Sequence, residues 1–200
     1  METTRLIIVA VGGQGNLLAS KILGEAALIS GVKVRMSEIH GMAQRGGIVE
    51  SAIVFGEATS SIISNSEADI LIGFEPVETL RALNRCGKHT QVITNTAILP
   101  PFTVAIGEGV YPKVEDVKKL IKAKCASLVA VDAMALAKKA GSPMSVNIVL
   151  LGALMQTGSL GFTKENVIEA IRRRTKPAFL DMNLNAFELG FDAAREYTAQ

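Results

Sequence analysis

The chain is short of aromatic residues, cysteine, histidine and proline, and has no surplus of either charge. Aromatic side chains fill 4% of its 200 positions, and 21 Lys and Arg stand against 19 Asp and Glu. A nucleic-acid binder usually carries a basic stripe or a stacking platform, and neither is visible. Cysteine occurs twice, at Cys86 and Cys125, without C-x-x-C spacing. That excludes an intrachain four-cysteine iron–sulfur cluster and points to a reduced, cytoplasmic compartment. Two histidines, with no His, Cys and carboxylate grouping at metal-ligand spacing, argue against a metal centre. No apolar run approaches the ~18–20 residues of a membrane span, and residues 1–5 lead into a strand-like run without the layout of a signal peptide. A Walker lysine, a G-x-S-x-G elbow, and the Gly-Asp-Gly with a following Asn stretch that holds thiamine diphosphate are all missing.

What remains is a well-mixed globular composition, 48% hydrophobic and 20% charged with 18 Gly and 6 Pro, which excludes disorder. A single domain spanning residues 1–200 is expected, burying roughly 70% of its unfolded surface. Residues 5–11 form a nearly continuous β-branched run, as in a parallel strand covered on both faces. Gly12-Gly-Gln-Gly15 stops it, and Leu18, Ile22, Ala26 and Ile29 then recur at helical spacing until Gly31. A second strand over 32–39 closes a βαβ unit. Further strands are expected at 48–55, 68–73, 91–95 and 128–131, with helices at 76–86 and 114–124. Beyond Asp132 the pattern is purely helical, at 133–140, 146–156, 164–174 and 179–197. The sum is an α/β protein with a doubly wound, mostly parallel Rossmann-like sheet and a helical C-terminal portion.

Two loops carry the candidate chemistry. In the first, Ala10, Gly12 and Gly15 occupy the small positions of a dinucleotide fingerprint, with Gly13, Gln14 and Asn16 beside them. Glycine there lets the backbone turn tightly and aims helix N–H groups at an anion. Glu38 lies about where a ribose-binding carboxylate would sit. A plain strand-to-helix turn with an exposed Glu38 uses the same residues. The second loop is Ser37-Glu-Ile-His-Gly-Met-Ala-Gln-Arg-Gly-Gly47, too polar and glycine-rich for core. Arg45 with Gly46 and Gly47 offers a charged fork and backbone donors for phosphate or carboxylate; His40 has nothing in the sequence to orient it as a base. A surface loop or subunit contact is the other reading. Arg172, Arg173 and Arg174 read as a solvated helix end, and Cys125 as a half-buried cysteine.

Together with Asn147-Ile-Val-Leu-Leu-Gly-Ala153 and Asn185-Ala-Phe-Glu-Leu-Gly190, these loops resemble the gamma-type subunit of the 2-oxoacid:ferredoxin oxidoreductases over nearly the whole chain. The His40–Gly47 form is most similar to the branch acting on indolepyruvate. The resemblance implies a holoenzyme that decarboxylates an aryl pyruvate, reduces ferredoxin and forms an aryl-acetyl-CoA. Thiamine diphosphate and iron–sulfur clusters would then belong to a larger partner subunit. This chain would be inactive alone and bind CoA at Gly12, Gly13, Gln14, Gly15, Asn16, Glu38, His40, Arg45, Gly46 and Gly47, with no catalytic residue of its own. A stand-alone NAD-dependent oxidoreductase and a nucleotide- or CoA-binding module are the alternatives. As a subunit, the chain should expose apolar surface and form homodimers in isolation, with Leu160, Phe162, Phe179, Phe187 and Phe191 as the expected source.

Overall fold

A computed structural model describes residues 3–41, 47–100, 104 and 106–198. The elements are β1 (Thr4–Val11), α1 (Asn16–Ile29), β2 (Val34–His40), β3 (Ile48–Phe55), β4 (Ala68–Gly73), α2 (Pro76–Arg81), β5 (Cys86–Asn95), α3 (Val114–Lys124), β6 (Ser127–Val131), α4 (Ala133–Ala140), α5 (Val146–Gln156), α6 (Lys164–Arg174) and α7 (Leu180–Thr198). They build one six-stranded sheet in the order β2-β3-β1-β4-β5-β6. Every pairing is parallel except those of β3, which runs antiparallel to both β1 and β2.

The alternation along β1 explains the layering. Leu6, Ile8 and Ala10 point to one face and join the larger core under α1, α4, α5, α6 and α7. Ile7 and Val9 point to the other, where Leu83, Val117 and Ile121 cover them. Both faces of β1 are therefore dry, which is why its sequence is apolar throughout. None of the described helices is long and apolar enough to cross a bilayer.

Three expectations need correction. β2 is parallel to β1 but does not lie beside it, because β3 inserts between them. The turn after β2 is what allows this: Gly41 N–H donates to the Ile48 carbonyl at 2.7 Å, so β3 folds straight back along β2. The helix expected to reach Cys86 ends at Arg81, and after a short 3₁₀ turn Cys86 already opens β5. Leu160, Phe162 and Phe187 supply no exposed patch, being 9%, 5% and 0% accessible. Phe191 is half-buried under the Lys164 ammonium at 4.1 Å, which leaves only Phe179 of the five exposed.

The helical portion is fastened by two glycines on facing helices. A side chain at Gly152 would overlap the Phe187 carbonyl, and one at Gly190 would overlap the Val149 carbonyl. α5 and α7 thus cross backbone against backbone. The arginine run has a structural use too. Arg173 and Arg174 pair with Glu25 of α1 at 3.3 and 2.5 Å, tying α6 to α1. The Arg174 hydrogen bond holds the Glu25 carboxyl below its usual range.

Candidate functional site

The β1 connection leaves toward the larger layer through α1, while the β4 connection leaves toward the other face through α2. β1 and β4 are parallel neighbours, so their carboxyl ends form the switch point at which open α/β sheets place ligands. The Gly12–Gly15 turn sits there. Gly13 and Gly15 hold φ of +93° and +83°, a region that L side chains enter at a cost. Among the described residues, nothing stands within 4 Å of where a Cβ on Gly13 would be. No side chain caps the N-terminus of α1.

The two loops do meet. Gly12 N–H donates to the Gly47 carbonyl at 2.9 Å, which seats the end of the second loop on the first. Arg45 and Gly46 lie outside the described residues. His40 is the last residue of β2, at the same sheet edge.

Other expected ligands face inward. Gln14 is a strut: its Oε1 accepts from Val11 N–H at 2.8 Å and its Nε2 donates to the Phe74 carbonyl at 3.3 Å. Asn16 is 4% exposed, donates to the Val49 carbonyl at 3.0 Å and accepts from Ser51 Oγ at 2.8 Å. Its amide thus ties α1 to β3. Glu38 accepts from Ser20 Oγ at 3.2 Å. With β3 intervening, β2 stands roughly 10 Å from β1, two strand spacings away. This removes the geometry by which a carboxylate at the end of a neighbouring strand would bind a ribose at the turn.

Two residues not among the expected ligands complete the edge. Asn147 (2% exposed) donates from Nδ2 to the Gly15 carbonyl at 3.2 Å, so α5 buttresses the turn. Asn95 donates to the Phe74 carbonyl at 3.1 Å and accepts from Ala97 and Ala133 N–H at 3.1 and 3.0 Å. Glu75 (1% exposed) is a third. Its carboxylate accepts from Val77 and Glu78 N–H, Leu99 N–H and the Tyr111 hydroxyl. The signal for it was Glu75-Pro76, an acceptor followed by proline at the first helical position. Burial and the Glu75 hydrogen bond push the Tyr111 phenol up, so it serves as a neutral donor.

Cavities of about 230 and 450 Å³ open on either side of the turn. The smaller is bounded by Gly13, Gln14, Asn95, Ile98, Leu99 and Met144. The larger is bounded by Gly15, Leu18, Met144, Asn147, Lys176 and Phe179. Their walls are apolar, with backbone and amide groups at the turn and one cationic rim, which suits an extended molecule bearing an anionic end. The cysteines are elsewhere: burial pushes the Cys86 thiol up to about 12 and raises that of Cys125. Neither is a ready thiolate nucleophile.

Comparison with known proteins gives a consistent answer. The profile of the pyruvate ferredoxin/flavodoxin oxidoreductase family matches residues 5–193. The indolepyruvate oxidoreductase subunit IorB of Thermococcus kodakarensis is 41% identical, covering 98% of both chains. The ketoisovalerate oxidoreductase subunit VorA of Methanothermobacter thermautotrophicus is 28% identical over 96% of this chain but only 36% of its own. Among solved structures, the 2-oxoglutarate:ferredoxin oxidoreductase of Magnetococcus marinus, with 2-oxoglutarate, coenzyme A and succinyl-CoA bound, superposes with a TM-score of 0.71. It is 16% identical and matches 98% of this chain and 32% of its own.

Proposed function

The chain belongs to the pyruvate ferredoxin/flavodoxin oxidoreductase family, and on that footing we propose that it is the subunit without thiamine diphosphate of a cytoplasmic indolepyruvate (aryl pyruvate):ferredoxin oxidoreductase. The observation that carries this reading is the 41% identity to an indolepyruvate oxidoreductase subunit over nearly the full length of both chains. In the assembled enzyme, thiamine diphosphate and iron–sulfur clusters on the larger subunit supply decarboxylation and electron transfer to ferredoxin. This chain contributes the CoA-facing edge. Open space at Gly13 lets a phosphate approach the backbone, and the uncapped α1 N-terminus favours negative charge there. Arg45, in the loop that Gly47 seats on Gly12, supplies the guanidinium. The apolar cavity walls receive the pantetheine arm. Gln14, Asn16 and Asn147 hold the turn in place and exclude water from beneath it.

The test is anaerobic assay with the larger subunit. The isolated chain should reduce neither ferredoxin nor a viologen dye, whereas the pair should do so with indolepyruvate and CoA. Arg45→Ala removes a charge-assisted contact of about 1.5–3 kcal/mol and should raise the KM for CoA roughly ten- to hundredfold. Unchanged KM for CoA would assign the loop to architecture, and dye reduction by the chain alone would overturn the subunit reading.

A further inference from the structure

Ile98, Leu99, Val110, Met144 and Phe179 are exposed at the surface and lie on the β5–α3 connection or border the cavities beside the Gly12–Gly15 turn. The connection from β5 to α3 is long for a compact domain, and residues 98–112 hold a single charged side chain, Glu108. A connection that stays in water would be polar. Here Ile98 is 49% exposed, Leu99 43% and Val110 94%. The two ends of the connection are nonetheless held in place, because Leu99 N–H and the Tyr111 hydroxyl both reach the same oxygen of buried Glu75. Met144 and Phe179, 73% and 51% exposed, extend the patch. Met144 borders the same cavity as Ile98 and Leu99, and also the cavity that Phe179 borders. Ile98, Leu99, Met144 and Phe179 therefore rim the two openings beside the Gly12–Gly15 turn, and Val110 adjoins Tyr111, which shares the Glu75 oxygen with Leu99. An apolar surface that is rigidly presented but uncovered marks a macromolecular contact.

We propose that this rim is the docking face for the larger, thiamine-bearing subunit, an inference that rests on the subunit role proposed above. Two observations choose that occupant. In the VorA and Magnetococcus marinus chains this unit accounts for 36% and 32% of the length, so well over half of each continues beyond it. A fold that in those chains is covalently joined to the rest of its enzyme, and that makes up 98% of the IorB chain of Thermococcus kodakarensis, has to regain that contact through its surface. The second is position. The rim encircles a site of backbone amides and apolar walls, and only a partner carrying reactive groups completes it. A second copy of this chain would bring one noncatalytic turn against another. The surface that meets the rim is apolar, since residues 98–112 offer almost no charge to pair.

The experiment compares wild type with Val110→Asp/Met144→Asp and with Ile62→Asp, a control at another exposed apolar position (78%). All three should melt within about 1 °C of one another, because the altered side chains are solvent-exposed. Titrated anaerobically against the purified larger subunit, the double variant should bind at least tenfold more weakly, while Ile62→Asp binds as wild type does. Unaltered binding by the double variant overturns the proposal. So does a wild-type homodimer that the double variant dissociates without change in affinity for the larger subunit. If wild type itself fails to bind that subunit, the subunit role has failed, and the docking face with it.

Discussion

Gly15→Ala tests whether the glycine turn is held by the helical portion or merely accommodates it. At φ +83° an alanine costs about 1–2 kcal/mol from backbone strain alone. Its Cβ would also stand 2.7 Å from Asn147 Nδ2 and 3.1 Å from Cγ, so the buried amide must move and its bond to the Gly15 carbonyl weakens. That bond contributes about 0.5–1.5 kcal/mol, which brings the total to about 1.5–3.5 kcal/mol. For a chain of this size the Tm should fall by about 3–14 °C. Gly13→Ala is the internal control. It has a similar φ of +93° but no neighbour within 4 Å among the described residues, so the strain alone predicts a fall of about 2–8 °C. Thermal and urea unfolding of both variants, with Asn147→Ala and the Gly15→Ala/Asn147→Ala pair, separate the contributions. Removing the amide relieves the collision, so the double variant should be more stable than the sum of the singles by about 1 kcal/mol. Equal losses for Gly13→Ala and Gly15→Ala, or strict additivity in the pair, would refute the buttress.

Gly190→Ala should be among the costliest single-methyl additions in the chain, since the Val149 backbone it meets cannot rotate away. A loss of about 1–3 kcal/mol or more is expected, read as a lowered urea midpoint. Gly158→Ala, with φ +66° and no neighbour within 4 Å, should lose only its backbone preference. Glu78 tests burial of charge. It is 5% exposed and one carboxyl oxygen has no partner, so burial raises its pKa despite Arg81 at 2.6 Å. A raised folded pKa gives stability that is full below the ordinary carboxylate value and is lost as pH rises through the folded one. Glu78→Gln should therefore gain on wild type as pH rises from the ordinary carboxylate range toward neutrality. A flat difference in Tm across that range would contradict the assignment.

Much of the architecture was legible because the local patterns agree with the global fold. The helices at 133–140, 146–156 and 164–174 stand where the apolar spacing put them, as Gly141 and the Thr163 capping box reinforce it. The place of β3 was not legible. Its alternation fits any strand, and only the tight pairing of Gly41 with Ile48 decides that it returns between β2 and β1. At the site, the glycine turn was readable from its motif, whereas its bond to Gly47 became visible only in the fold. The inward commitment of Gln14 and Asn16 was not readable, because an amide beside a glycine turn looks the same whether it faces a ligand or a strand. The exposed rim escaped notice because isolated apolar residues such as Ile98, Leu99, Val110 and Met144 carry no periodicity that tells a covered side chain from an exposed one, and only the fold shows these four at the surface.

The amides at the sheet edge have one more consequence. Gln14 joins the end of β1 to the Phe74 carbonyl after β4, and Asn95 joins that same carbonyl to Ala97 after β5 and to the first residue of α4. Four successive strand ends are laced through two side chains and one shared acceptor. Opening any one of them strands a buried polar partner at its neighbour, a penalty of about 1–3 kcal/mol each time. The strand ends therefore resist fraying singly and come apart only as a block. For the docking face proposed above, this arrangement means that thermal loosening at the sheet edge is suppressed collectively rather than loop by loop.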